Sequence, residues 1–414
     1  MKKQILYPRY AVQKVREALA DTPVVLIHGP RQCGKTTLAR MVGGDDYAYF
    51  TFDDINILAA AQEDPVGFVE RLPERAILDE VQRCPDLFSS LKQSVDRNRK
   101  PGRLLMTGSA NVLLVPNLSD SLAGRMEIVP LYPLSRCEID NVAPCFFGEL
   151  FSGFKQITHA GRMGNRLVEL ILLGGYPEPQ QRETWKRKRQ WYRNYCETLV
   201  QRDIQALARI SRLDAIPKLL ELAAGQTSRL LNISELASPF QLSRPTIRDY
   251  AELLERIFLL SFLQPWHSNR IKRLIKTPKL HIGDTGLACS LLNLDQGQLQ
   301  ENRPLLGQLL ETFIYNELKR LSSWHDSDLS LYHYRDKDLY EVDIVVQQNG
   351  RDIAGIEVKA AGTIQEKDFR GLRRLQQASS GTFLVGVVLY DGDHLLPFGE
   401  KLFGVPISAL WGTV

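Results

Sequence analysis

Gly29-Pro30-Arg31-Gln32-Cys33-Gly34-Lys35-Thr36-Thr37 has the spacing G-x-x-x-x-G-K-T. Its glycines let main-chain amides curl around phosphates. Lys35 would reach the β- and γ-phosphates, and the Thr36 hydroxyl would hold Mg²⁺. Downstream, Ala76-Ile77-Leu78-Asp79-Glu80 is an apolar run ending in paired carboxylates. Asp79 suits the Mg²⁺ shell, and Glu80 is placed to orient or deprotonate an attacking water. The chemistry implied is ATP binding and hydrolysis. Thr107 or Ser109, at the end of Leu105-Met106-Thr107-Gly108-Ser109, would sense the γ-phosphate; the plainer reading is a turn of small residues. Arg125 is a candidate arginine finger acting on an adjacent subunit's phosphate, or else a surface arginine.

A second set lies near the other end of the chain. Glu341-Val342-Asp343 is followed, after a short gap, by Gly355-Ile356-Glu357-Val358-Lys359. On a strand, residues 357 and 359 point to one face. Asp343 and Glu357 on neighbouring strands would ligate Mg²⁺, and Lys359 would position or activate a water against a phosphodiester. The alternative is a fold that binds DNA or protein without cutting.

These residues need elements to hold them. Strands are predicted at Val24–His28, Tyr47–Phe52, Ala76–Leu78, Arg103–Thr107 and Met126–Val129, alternating with helices. That is the pattern of a parallel sheet in an α/β domain over residues 1–150. The segment 151–270 has helical periodicity, with a charged amphipathic helix predicted over Lys186–Leu207. Helices at Ile216–Ala224, Ile233–Ala237 and Ser243–Ile257, then wing strands in Ile257–Phe262, suggest a winged helix-turn-helix. Gly225 is expected to stop the first, Asn232 or Ser234 to cap the second, and Ser243 with Pro245 to start the third. Arg244, Thr246 and Arg248 make that start polar and basic, as a groove-reading helix needs, although such modules also serve for packing. The third segment, 271–414, reads as α/β. Its strands are predicted at Lys279–Ile282, Leu331–Arg335, Tyr340–Val346, Ile353–Lys359 and Thr382–Leu389, with a helix at Leu309–Leu321.

Bulk properties leave the partner open. Among 414 residues the net charge is +4, so DNA binding must be argued from clusters. Two qualify: Lys186-Arg187-Lys188-Arg189, flanked by Trp185, Trp191 and Tyr192, and Arg270-Ile271-Lys272-Arg273. The first is equally explained as a solvated helix face. The six cysteines form no C-x-x-C pair and fit a reducing cytoplasm. The start MKKQILYPRY lacks the apolar core of a signal peptide, and no run reaches membrane-span length.

The G-P-R-Q-x-G-K-T-T loop, the I-L-D-E strand, the T-G-S-A strand end and the L-A-G-R segment resemble AAA+ type ATPases of bacteria and archaea that carry a C-terminal domain of unknown function. Gly174-Gly175-Tyr176-Pro177, Gln201-Arg202-Asp203-Ile204 and Asp284-Thr285-Gly286-Leu287-Ala288 extend the resemblance over nearly the whole chain. It implies an AAA+ fold, a winged-helix module and assembly into a homo-oligomeric ring. The C-terminal set resembles the PD-(D/E)-x-K nuclease core, with valine in place of the proline before Asp343. Glu311 matches the additional acidic residue often seen there. Two functions are compatible with these features. One is an ATP-dependent DNA-processing protein with a nuclease-like end. The other is an ATP-controlled switch whose later domains are interaction modules.

Overall fold

Five strands, each apolar along most of its length, organise the first part of the chain. The computed structural model describes residues 6–109, 122–154, 159–204, 212–268, 277–379 and 381–412, the side chains of 202 and 203 apart. Strands β1 (Val24–His28), β2 (Ala48–Thr51), β3 (Ala76–Asp79), β4 (Leu104–Gly108) and β5 (Met126–Pro130) form a parallel sheet in the order β2-β3-β4-β1-β5. Alternate residues feed two cores. Val24, Leu26, Leu78 and Met106 pack on one face; Val25, Ile27, Ile77 and Leu105 pack on the other. Burial on both faces is why β1, β3 and β4 read as continuous apolar runs.

The middle of the chain continues as helix Ala215–Gly225, β6 (Arg229–Leu230), helix Ile233–Ala237, helix Arg244–Arg256, β7 (Leu260–Leu263) and β8 (Lys279–Ile282). The three strands make an antiparallel sheet in the order β6-β8-β7. Lys279–Ile282 therefore belongs with this sheet, not with the C-terminal strands among which its sequence placed it. Asn232 and Ser243 cap their helices through side-chain oxygens. Gly225 is the last helical residue rather than the stop beyond it. Ile257 closes the preceding helix and Phe258 has a φ of 64°, so strand pairing starts only at Leu260. The helix predicted over Lys186–Leu207 is α-helical from Trp185 to Leu199 and widens to a π-turn at Val200–Ile204. Residues 205–211, and the basic segment at 270–273, lie outside the described residues.

Helix Arg303–Ser323 leads into the last sheet: β9 (Leu329–Arg335), β10 (Glu341–Gln348), β11 (Asp352–Lys359), β12 (Phe383–Tyr390), β13 (Leu396–Pro397) and β14 (Leu402–Pro406). The order is β13-β14-β12-β11-β10-β9. β9, β10 and β11 are antiparallel neighbours, and helix Arg370–Ala378 intervenes in the parallel step from β11 to β12. One apolar core runs through both later segments, from Phe146 and Leu167 to Leu254, Phe313, Val387 and Trp411. The middle and C-terminal parts thus share one core, and a second cluster including Val342, Phe369 and Val388 packs within the C-terminal sheet.

Candidate functional site

Gly34 takes a φ of 99° at the turn into helix Lys35–Gly43, and Gln32 a φ of 62°, so the chain curls in this loop. A Cβ on Gly29 would lie 1.9 Å from the Leu131 carbonyl oxygen, so only glycine fits there. The helix has no capping side chain at its N-terminus. Its first amides therefore retain donor capacity, and they lie where an anion is best stabilised. Lys35 is 4% exposed and donates to the carbonyls of Gly29 (3.1 Å) and Pro30 (2.9 Å). Gln32, Cys33, Gly34, Lys35, Thr36, Thr37 and Glu80 line a cleft of about 360 Å³. This donor set fits a nucleotide triphosphate.

Asp79, at the end of β3, accepts from Thr36 Oγ1 at 2.8 Å, Thr107 Oγ1 at 2.6 Å and Tyr49 OH at 2.7 Å. All three donors are neutral, so they orient the carboxylate without cancelling its charge. The carboxylate and the Thr36 hydroxyl fit an Mg²⁺ shell beside the phosphate loop. Glu80 has a φ of 59°; its amide donates to Thr107 Oγ1 at 3.1 Å, and its carboxylate accepts from Gln82. Gln82 also donates to Ser109 Oγ at 3.0 Å. Thr107 and Ser109 thus brace the two acids from behind and are not among the residues lining the cleft. Arg125 precedes β5 at the opposite end of the sheet from the loop, where it grips Asp96 at 2.6 and 3.0 Å. It is too far round the domain to serve its own loop.

Arg9 carries no motif, and its role was not legible in the sequence. It is buried and donates to the Cys33 carbonyl (2.6 Å), the Tyr132 carbonyl (2.8 Å) and Glu138 (2.9 Å). It therefore pins the loop to the chain after β5. Glu138 completes a capping box with Ser135, and the next amide, Arg136 N, donates to Glu317 at 2.8 Å. Glu317 also accepts from Arg320 (2.7 Å) and Trp411 Nε1 (2.7 Å), and Arg320 reaches Asp284 at 3.2 Å. Asp284 caps helix Thr285–Leu291 and accepts from Gly175 N at 2.7 Å. A Cβ on Gly174 would meet Asp284 Oδ1 at 2.1 Å, so two distant glycine motifs are explained by one contact. Pro177, Glu178 and Gln181 share the cleft wall, and Tyr195 OH donates to the Arg31 carbonyl at 3.1 Å. The phosphate loop is in direct contact with the middle of the chain.

The C-terminal residues gather at one end of β10 and β11, next to the Ile344–Ile356 pair. Asp343 Oδ2 accepts from Val358 N at 3.0 Å, and Lys359 donates to Glu357 Oε1 at 2.8 Å. Glu357 Oε2 is buried with no hydrogen-bond partner. The cation here was not foreseen: Lys279 of β8 donates to Glu311 at 2.6 Å and to Asp343 at 3.0 Å. Burial would raise the Asp343 carboxyl, but Lys279 and the Val358 amide overcome it and hold the group below its ordinary value. Burial, and then the Asp343 charge, push Glu357 up to about 8. The same two causes raise Glu311, against the pull of Lys279. Burial would lower Lys279; Asp343 and Glu311 more than reverse that. Among the described residues, no three His, Cys, Asp or Glu side chains are placed to hold a metal. As arranged, the cluster does not fit the divalent ion expected for it.

The sheet, the phosphate loop and the acids at β3 are those of an AAA-type nucleotide-binding domain. Residues 21–139 match the AAA domain family, 164–298 a domain of unknown function (DUF8612) and 306–410 another (DUF4143). The chain is 32% identical over 408 residues to uncharacterized proteins of Mycobacterium tuberculosis and Mycobacterium bovis, covering 98% of this chain and 85% of each of theirs. It belongs to the family of those proteins. Solved structures similar in part include a Thermotoga maritima RuvB variant (16% identity, 60% of this chain and 87% of that one, TM-score 0.30). Another is the McrB AAA+ hexamer with bound McrC of Thermococcus gammatolerans (10% identity, 48% and 72%, TM-score 0.20). Among the described residues no helix is long and apolar enough to cross a membrane.

Proposed function

We propose that this protein binds and hydrolyses ATP with Mg²⁺ and that nucleotide occupancy controls a DNA-binding middle segment. The observation that carries the reading is the cleft itself. Lys35, the loop residues and Glu80 line one cleft, Asp79 is held beside Thr36 by neutral donors, and the same cleft is walled by Pro177, Glu178 and Gln181. Mg²⁺, held by Thr36 and Asp79, would supply charge neutralisation at the phosphates. Glu80 would orient the water, once turned from Gln82. Any change in the loop reaches the middle segment through Tyr195, which bonds the Arg31 carbonyl.

DNA is the favoured partner because of the order helix, strand, helix, helix, strand, strand closed by the β6-β8-β7 sheet. That is the plan of a winged helix, and helix Arg244–Arg256 presents Arg244 and Arg248 to solvent. Arg125 would act in trans, in an assembly of several copies. The test is ATP turnover measured with and without duplex, single-stranded and branched DNA over a salt series. Stimulation that weakens steeply with salt, and is lost in Arg244→Ala/Arg248→Ala, supports DNA. Turnover that ignores DNA and salt assigns the switch to a protein partner. Absence of ATP binding by calorimetry overturns the proposal altogether. Rising specific activity with protein concentration, abolished by Arg125→Ala, supports the shared site.

A further inference from the structure

The acids Glu311, Asp343 and Glu357 come from a helix and two strands of the C-terminal sheet, but the cation between two of them comes from elsewhere. Lys279 lies on β8, paired with Leu230 on one side and Leu263 on the other. Alternation along β8 sends Lys279 and His281 to the same face, towards helix Arg303–Ser323. There His281 Nδ1 lies 3.0 Å from Thr312 Oγ1, and its ring stacks on Tyr315 with centroids 4.4 Å apart. These neighbours fix the strand against the helix. The Lys279 side chain is 6% exposed, so its methylenes are packed and its ammonium has two carboxylates within bonding distance.

A divalent ion would need the same carboxylate oxygens. Mg²⁺ binds six oxygens at roughly 2.0–2.1 Å, whereas here two carboxylates surround a nitrogen at 2.6 and 3.0 Å. An entering ion would have to expel an ammonium tethered to a paired strand, or tolerate it a few ångströms away. Neither is cheap in a site with little water. Lys359, bonded to Glu357, adds a second positive charge to the cluster.

We propose that Lys279 is a built-in replacement for the divalent ion, so that the acid cluster of the C-terminal sheet is an ionic clasp to the three-stranded sheet and takes up a metal only when that lysine is removed. The proposal is independent of ATP binding and would stand if the ATP reading failed. It assigns Glu311 and Asp343 to holding β8 in place. It also makes the cluster a latent metal site, needing one charge change to open.

The experiment is Mn²⁺ binding to the full-length chain without nucleotide, read by the loss of the free-ion paramagnetic resonance signal, in a Lys35→Ala background. With Lys279 intact, no Mn²⁺ site tighter than about 1 mM that depends on Asp343 is expected. Lys279→Met, a neutral chain of similar length, should gain one site at least tenfold tighter, and adding Asp343→Asn should remove it. Mn²⁺ bound with Lys279 intact and lost in Asp343→Asn overturns the proposal. So does a folded Lys279→Met protein that gains no site. Circular dichroism monitors folding; should Lys279→Met fail to fold, the measurement with Lys279 intact decides alone.

Discussion

The phosphate loop and the C-terminal cluster use the same residue types to opposite ends. In the first, Asp79 is held by hydroxyls of Thr36, Tyr49 and Thr107, while the lysine bonds to neutral carbonyls. Neutral donors fix a carboxylate's direction and leave its charge for an incoming cation. In the second, the lysine bonds directly to Glu311 and Asp343, and the charges are spent on one another. The lesson is that a set of acids and a lysine is chemically available only where they are not each other's partners.

The largest effect that would sharpen this contrast is on stability. Asp343→Ala strips Lys279 of one partner and the Val358 amide of its acceptor. It should destabilise the C-terminal part by about 3–5 kcal/mol, the usual cost of breaking a buried ion pair. Thermal denaturation checks it; a melting temperature equal to wild type would make the cluster as open as the phosphate loop and break the comparison. Next, Lys35→Ala should lower ATP turnover by roughly 10²–10³-fold, as for loss of a preorganised charge at the reacting phosphate, with the melting temperature nearly unchanged. Arg9→Ala should cost about 1.5–3 kcal/mol of loop organisation, the range for a hydrogen bond from a charged donor. It should be seen as weaker ATP binding in calorimetry, partly recovered in Arg9→Lys.

The smallest effect concerns pH. Because Glu357 titrates near 8 in the folded chain and near 4.5 unfolded, folding takes up protons between those values. Stability should therefore fall as pH rises from about 5 to 8. Glu357→Gln, which stays neutral throughout, should reduce the slope measured by urea denaturation at each pH, the remainder coming from Glu311, which the same causes raise. An unchanged slope would place the titration elsewhere. Asp343, held low by Lys279, contributes in the other direction, and only in acid below its unfolded value.

Much of the first site was legible because its information is local. Gly29, Gly34, Lys35 and Thr36 fall within nine consecutive residues, and Asp79 ends the strand that follows the next one, with Glu80 just beyond it. Most strand positions were also legible, with ends moved by a residue or two, but the helix predicted from Leu309 starts six residues earlier at Arg303 and the long middle helix closes early in a π-turn. Arg9 was not legible, because its three partners at Cys33, Tyr132 and Glu138 are set by how the chain returns past the loop. Lys279 was misplaced for a related reason. Short apolar strands announce themselves in a sequence, but their pairing does not, since any edge with matching burial is a possible neighbour.

What the residues determined by themselves is the phosphate-binding loop and the acids at the end of a neighbouring strand, because main-chain geometry repeats wherever that loop spacing occurs. What only the tertiary structure decided is where charge is available and where it is already spent. That depends on which distant side chain comes within about 3 Å of a carboxylate, and electrostatic contacts of that kind are fixed by packing, not by order along the chain.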